Sequence, residues 1–131
     1  MAKILVVDDS RVMLEMVKSS LLTEGHEVIT AEDGVEALNT ARNEDFDLVL
    51  SDINMPNMNG IGLVSRLRKI DRYDNTPIIM LTTENSEFKK DNAKTMGANA
   101  WLQKPIDPVR LIKAVNTMLA KAGHIVSSRD G

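Results

Sequence analysis

The residues of this chain able to do chemistry collect where short apolar runs end. Ile4-Leu5-Val6-Val7 is followed by Asp8-Asp9, and Leu48-Val49-Leu50 leads to Asp52. Ile78-Ile79-Met80-Leu81 is followed by Thr82-Thr83, and Ala100-Trp101-Leu102 leads to Lys104-Pro105. Taken singly, each has an ordinary explanation. Aspartate after a strand often makes a turn or caps a helix, a loop acid needs no role, and a lysine is usually solvated. Gathered together, they are three carboxylates, a hydroxyl and one ammonium. Crowded carboxylates repel unless a proton or a cation joins them. For an all-oxygen set, a hard dication is the economical answer. Mg²⁺ fits best, because it takes one or two carboxylates, keeps several waters and shares its shell with phosphate oxygens. Such an ion beside a carboxylate, with Lys104 and Thr82 on the flanks, suits phosphoryl transfer. Aspartate is a competent covalent acceptor for that group.

The elements that gather these residues are legible in the apolar pattern. The runs beginning at Ile4, Val28, Leu48, Ile78 and Ala100 are short and rich in branched residues, as buried strands are. Their continuous apolar character points to parallel strands covered on both faces. Between them lie amphipathic segments. From Ser10 to Glu24, Met13, Met16, Val17, Ser20 and Leu21 share a helical face, with Gly25 as the stop. Asp33 caps a second helix, with Glu36 completing a box-like pair and Ala37, Leu38 and Ala41 facing inward. Ile61, Val64 and Leu67 mark a third. A fourth, from about Ser86 to Met96, is polar and ends at Gly97. The fifth has Asp107 as cap and Pro108 in its first turn, then Leu111, Ile112, Val115 and Leu119, with Gly123 beyond the end. Five strand–helix units predict a doubly wound α/β sandwich of five parallel strands and five helices. Right-handed crossovers then place every strand's C-terminal end on one edge, where open α/β sheets bind ligands.

Composition narrows the function classes. The chain has 131 residues and a net charge of -3, the size of one domain without a basic face for nucleic acid. It has no cysteine, which excludes disulfides, thiol catalysis and thiolate metal sites. Aromatics make up 3%, too few for a base-stacking platform. No run is long and apolar enough for a signal peptide or membrane span, so the expected location is the cytoplasm. The two histidines, His26 and His124, are expected to be solvated, in a turn and in the tail. The expected organisation is one domain over 1–123 and a short tail over 124–131.

The residues at the strand ends resemble those of response-regulator receiver domains, the CheY-like, flavodoxin-like fold. The motifs that carry the resemblance are Val6-Val7-Asp8-Asp9-Ser10, the segment Asp52-Ile53-Asn54-Met55-Pro56-Asn57-Met58-Asn59-Gly60, Leu81-Thr82-Thr83 and Lys104-Pro105. The likeness runs from about Lys3 to Leu119, nearest the stand-alone chemotaxis type. It implies a sheet in the order 2-1-3-4-5. It also implies that Asp52 is the phosphoacceptor, served by the phosphohistidine of a histidine kinase. Asp9, Asp52 and the backbone carbonyl of Asn54 would hold Mg²⁺, with Asp8 acting mainly through water. Lys104 would pair with a phosphoryl oxygen, and Thr82 would move to bond another. The Lys104-Pro105 bond would be cis. Asn54, Thr83 and Glu84 would tune the rates.

In this reading Thr82 moves inward and Trp101 fills the space it leaves, altering the face made by the fourth helix, fifth strand and fifth helix. That face would meet a target such as the flagellar motor switch, and a phosphatase would reset the signal. The chain is expected to be a monomer without turnover of an external substrate. Trp101 stands where Tyr or Phe is commoner in the family, and Thr83 where a smaller residue is frequent. The rivals lie inside signalling: a phosphorelay intermediate and a receiver excised from a longer regulator. An electron-transfer flavoprotein is disfavoured, because Asp8-Asp9 after the first strand would repel its FMN phosphate. A haloacid-dehalogenase-like phosphatase is more distant, because its Asp-x-Asp would follow the first strand.

Overall fold

A computed structural model describes residues 2–83 and 87–123. The chain alternates β1 (Lys3–Val7), α1 (Arg11–Thr23), β2 (Glu27–Ala31), α2 (Gly34–Asn43), β3 (Leu48–Asp52) and α3 (Gly60–Leu67). A turn of 3-10 helix, Asp71–Tyr73, precedes β4 (Ile78–Thr82), α4 (Glu87–Met96), β5 (Ala100–Gln103) and α5 (Pro108–Lys121). The strands form one parallel sheet in the order β2-β1-β3-β4-β5. This is the doubly wound fold that the alternation predicts. The expected start of the fourth helix at Ser86, together with Glu84, His124 and the tail over 124–131, lies outside the described residues.

The period of two in the central strands builds both layers. Leu5, Val7, Val49, Ile78 and Met80 pack with Ala37, Leu38 and Ala41 of α2 and with Leu63, Val64 and Leu67 of α3. Ile4, Val6, Leu48, Leu50, Ile79 and Leu81 face Leu14, Val17 and Leu21 of α1 and Leu111, Val115 and Leu119 of α5. Each Val, Leu, Ile or Met among them, once fully buried, contributes about 1.5–3 kcal/mol of transfer free energy. β5 departs from the expected double cover. Its residues alternate half-buried and exposed, because it is an edge strand with one open face. The inward stripe of α1 also shifts. Leu14 is buried, while Met13, Met16 and Ser20 are half-buried, since the axis points the 14-17-21 row at the sheet.

The helix ends follow local chemistry. Ser10 accepts from the Met13 N–H, Asp33 from Glu36, Asn59 from Gly62 and Asp107 from Val109. Each satisfies an amide that the helix leaves without an internal partner. The box on α2 is a variant, since Glu36 Oε1 accepts from the Glu32 N–H at 2.7 Å rather than from the cap residue itself. Gly25 and Gly97 close α1 and α4 at φ 87° and 119°, the left-handed region that favours glycine.

His26 corrects the sequence reading. It is not solvated but buried, and its Nδ1 accepts the Ala2 N–H at 3.1 Å. The turn after Gly25 folds the ring under the start of β1, where the Glu27 N–H also donates to the Ala2 carbonyl. Burial pushes the imidazole pKa below its ordinary value of 6.5. Protonation would set a second N–H against Ala2 and charge a buried ring. The unfolded chain therefore binds this proton more tightly than the folded one. The stability His26 supplies is complete above its unfolded value and is lost as pH falls below 6.5 through the folded one. Urea unfolding between neutral and mildly acid pH should show this decline in the wild type and a flatter profile in His26→Gln, which keeps an acceptor. Parallel profiles for the two proteins would rule His26 out as the source.

Candidate functional site

Parallel pairing brings the carboxylates together. β1 and β3 align with Val7 opposite Ser51, so the next residues, Asp8 and Asp52, emerge side by side at the C-terminal edge. Asp8 is fully buried, Asp52 is 6% exposed, and Asp9 is exposed. One carboxylate oxygen from each of Asp8, Asp9 and Asp52 lies within 4.8 Å of the others. The Asp8 N–H reaches the Ala31 carbonyl at 3.1 Å, which extends the sheet to the site itself.

Lys104 enters this cluster from the far edge. Its ammonium donates to Asp8 Oδ2 at 2.7 Å and lies 3.3 Å from Asp52 Oδ2. The turn after β5 aims it there. The Lys104 N–H donates to the Thr82 carbonyl at 2.8 Å, and the Lys104-Pro105 peptide is cis. The other oxygen of Asp8 accepts the Ser10 N–H at 2.9 Å. Burial raises the pKa of Asp52, and the charge of Asp8 adds to that; Lys104 and the Asn54 N–H act the other way without cancelling it. Burial would lower Lys104, but its hydrogen bond to Asp8 and the charges of both aspartates outweigh it and hold the ammonium above 10.5.

The remaining expected residues fall around this centre. Thr82 is fully buried at the end of β4, and Thr83 follows it, exposed. Asn54 is exposed and directs its backbone N–H at Asp52. Trp101 is 36% exposed. It pairs in register with Met80, while Thr82 pairs with Gln103. Partners in register point to the same side of a sheet and side chains alternate along a strand. Trp101, Met80 and Thr82 therefore share one face.

The sequence reading missed two supports. Ser51 is buried and its hydroxyl donates to the Asp52 carbonyl at 2.9 Å. Gly60 opens α3 directly over the Asp52 carbonyl, where any β-carbon would collide with it and would lie 2.9 Å from Ile53 Cα. The glycine in the 52–60 segment was the available signal for the second. Nothing in the sequence marks Ser51.

The donor set fits a hard cation: among the described residues it is three carboxylates with no nitrogen or sulfur ligand, and Asp9 is its exposed member. Removing Lys104 should expose the strain of the bare cluster. Lys104→Met leaves Asp8 and Asp52 buried without their shared cation and should cost on the order of 3 kcal/mol in chelator, read by urea unfolding. Asp9→Ala should do the reverse, raising the melting temperature in chelator while shrinking the rise that Mg²⁺ produces. Unchanged melts for both variants would show that the charges do not communicate.

Comparison with known proteins agrees with this geometry. A family model described as the response regulator receiver domain matches residues 4–116. A chemotaxis protein CheY homolog of Campylobacter jejuni is 40% identical over 119 residues, covering 89% of this chain and 92% of the relative. The structure of the chemotaxis response regulator CheY4 of Vibrio cholerae superposes with a TM-score of 0.87 at 47% identity, over 90% of this chain and 98% of that one. The receiver domain of a sensor histidine kinase from Pseudomonas aeruginosa, solved with a magnesium ion coordinated in its active-site cleft, gives a TM-score of 0.84 at 25% identity. That match covers 91% of this chain and 98% of the other. The chain belongs to the response regulator receiver domain family and is a CheY-like member of it.

Proposed function

We propose that this receiver accepts a phosphoryl group from a histidine kinase onto Asp52, in a reaction that depends on Mg²⁺. The observation that supports this most directly is the placement of Lys104 2.7 Å from Asp8 and 3.3 Å from Asp52, within a cluster of three carboxylates. Asp8 is fully buried with one oxygen held by Lys104 and the other by the Ser10 N–H, whereas Asp52 keeps 6% exposure and the longer 3.3 Å contact to Lys104, which leaves it the more available of the two. A carboxylate oxygen of Asp52 forms the new O–P bond as the P–N bond of the donor phosphohistidine breaks. The electron pair returns to the imidazole, which takes a proton from solvent. Lys104, already fixed at the acceptor, neutralises a phosphoryl oxygen without having to reorganise. Thr82, in this reading, brings its hydroxyl to another oxygen. Asp8, Asp9, Asp52 and the Asn54 carbonyl would hold Mg²⁺, which when bound offsets the negative charge of the transferring group.

Water later hydrolyses the acyl phosphate and returns Asp52. Asn54, Thr83 and Glu84 are the residues placed in sequence to tune that rate. The protein is then a signalling regulator, with the phosphorylated state as its output. The α4-β5-α5 face would carry that output to a target in chemotaxis, such as the flagellar motor switch, and a phosphatase would shorten it. The shared face of Thr82, Met80 and Trp101 supports coupling of the site to that surface through β4 and β5. The reading also takes the protein to be cytoplasmic and monomeric.

Incubation with acetyl phosphate and Mg²⁺ should add the mass of one phosphoryl group, labile to hydroxylamine and mapped to Asp52. Asp52→Asn should abolish the adduct and remain folded. The same treatment should change the fluorescence of Trp101, the single tryptophan. An adduct of equal yield in Asp52→Asn would move the acceptor elsewhere. Modification at Asp52 with unaltered fluorescence would leave the acceptor standing and remove Trp101 from the switch.

A further inference from the structure

The segment from Ile53 to Asn59 runs between the acceptor and α3, and most of it faces solvent. Its inner side is held by Ile53 in the core, by Met55 and Met58 packed against it, and by backbone bonds. The Gly60 N–H returns to the Ile53 carbonyl at 2.8 Å, which closes the segment into a loop. The Met58 N–H donates to the Pro56 carbonyl at 2.7 Å. The outer side of the loop is tied to another element altogether. Asn57 Nδ2 donates to Asp33 Oδ2 at 2.9 Å, while Asp33 Oδ1 accepts the Glu36 N–H at 2.9 Å as the cap of α2. One carboxylate thus serves a helix end with one oxygen and the acceptor loop with the other.

Two independent features show that the loop is fitted to α2 at this point. Asn57 is the described non-glycine residue with positive φ, at 68°, a conformation that asparagine tolerates better than most residues. It turns the side chain toward Asp33. Beside it, Gly34 opens α2 against the loop so closely that a β-carbon there would lie 2.6 Å from the Met58 carbonyl oxygen and 2.8 Å from Met58 Cβ. The two hydrogen bonds also hold the Asp33 pKa below its ordinary value, the Glu36 N–H first and Asn57 second. The latch therefore keeps its charge across neutral pH.

We infer that Asp33 and Asn57 are positioning residues for the Asp52 centre, holding the acceptor loop in the register that aims Asn54 at Asp52. This rests on the proposed function. Asn54 is three residues before Asn57 in a loop pinned at Gly60 and at Asn57. Its N–H favours the ionised Asp52 carboxylate, and its carbonyl is the one ligand of the proposed ion site that no side chain supplies. Groups that orient a ligand without touching the ion commonly change affinity or activity ten- to a hundred-fold. A loop freed at Asn57 retains Asp52, Lys104 and the carboxylates but loses the fixed placement of Asn54.

The test uses the full chain and two variants chosen to spare the fold. Asn57→Gly removes the amide while suiting the positive φ. Asp33→Ser keeps a competent helix cap but is too short to reach Asn57. Mg²⁺ affinity is measured by calorimetry on the unphosphorylated protein, and phosphorylation by acetyl phosphate is resolved into KM and maximal rate. Each variant should weaken Mg²⁺ binding by about tenfold and lower the maximal rate. KM for acetyl phosphate and the melting temperature should stay close to wild type. The double variant should be no worse than either single one, because both break the same contact. Wild-type Mg²⁺ affinity and rate in Asn57→Gly would overturn the inference, as would losses that add in the double variant. A melting temperature that falls while binding and rate are kept would reduce the contact to a structural one and overturn it equally. A wild-type chain that takes neither Mg²⁺ nor phosphoryl would instead overturn the function on which the inference rests, and the wild-type arm separates the two failures.

Discussion

Asp8 and Asp52 cannot avoid each other. They are the first residues beyond Val7 and Ser51, and those two are locked in register by the β1–β3 ladder. Relieving the repulsion between them by moving apart would require unzipping the centre of a sheet whose strands β1, β3 and β4 are almost wholly buried. The relief comes from charge instead. Lys104 supplies one positive charge to three carboxylates, which leaves an excess of two negative charges when all are ionised. The raised pKa of Asp52 reports that excess, with burial as its larger cause. A group crowded in this way gains from any ligand that adds positive charge.

The rest of the molecule can be read as what this constraint demands. The two apolar layers hold the strand ends in register, so that the cluster's repulsion is spread over the whole core rather than borne by a loop. Gly60 lets α3 start flush against the Asp52 backbone, and Ser51 satisfies the carbonyl there. On the far side, Arg68 at the end of α3 donates to the carbonyls of Tyr73, Thr76 and Gly97 and to Asn99 Oδ1. Asn99 Oδ1 in turn accepts the Ile78 N–H at 2.8 Å. The helix that begins against Asp52 therefore ends in a hydrogen-bonded knot at the α4–β5 turn. Gly97 makes room for that knot, since a β-carbon there would lie 2.9 Å from Arg68 Cγ.

How much of this was legible in the sequence depended on the range of the interaction. Local signals were read well: the caps at Asp33 and Asp107, the stops at Gly25 and Gly97, and the apolar runs. They are set by neighbours within a turn or two. The gathering of Asp8, Asp9, Asp52 and Lys104 was also legible, because parallel topology puts all strand ends on one edge whatever the details of packing. Features that depend on the third dimension were not. His26 looked like a turn residue because nothing in Gly25-His26-Glu27 shows that β1 begins above it. Leu14 lost its place to Met13 and Met16 because a helical stripe read alone has no fixed axis. Trp101 and Leu102 looked like part of a doubly covered strand, although β5 has one open face at the edge of the sheet. From its neighbours Asp33 is a cap and no more, since its second oxygen is used by Asn57, 24 residues away.

The position of Lys104 also bears on why a change at Asp52 would be felt at β5 and α5. The lysine's backbone N–H is tied to the Thr82 carbonyl, and its side chain is shared unequally between Asp8 at 2.7 Å and Asp52 at 3.3 Å. Three residues later Asp107 caps α5, with Ile106 buried between them. In the proposed reaction Asp52 gains phosphoryl oxygens that reach further toward the ammonium than a carboxylate can. The balance between the two aspartates would then shift at Lys104, the residue from which the short segment joining β5 to α5 starts. Thr82 would feel the same change from the β4 side through the backbone bond that its carbonyl accepts from Lys104. Two adjacent strand ends would thus be biased by the one proposed covalent event, and both belong to the strand pair that carries Trp101. An edge strand is the part of the sheet that can respond, because it is held from one side and has an open face on which a side chain can be rearranged without opening the core.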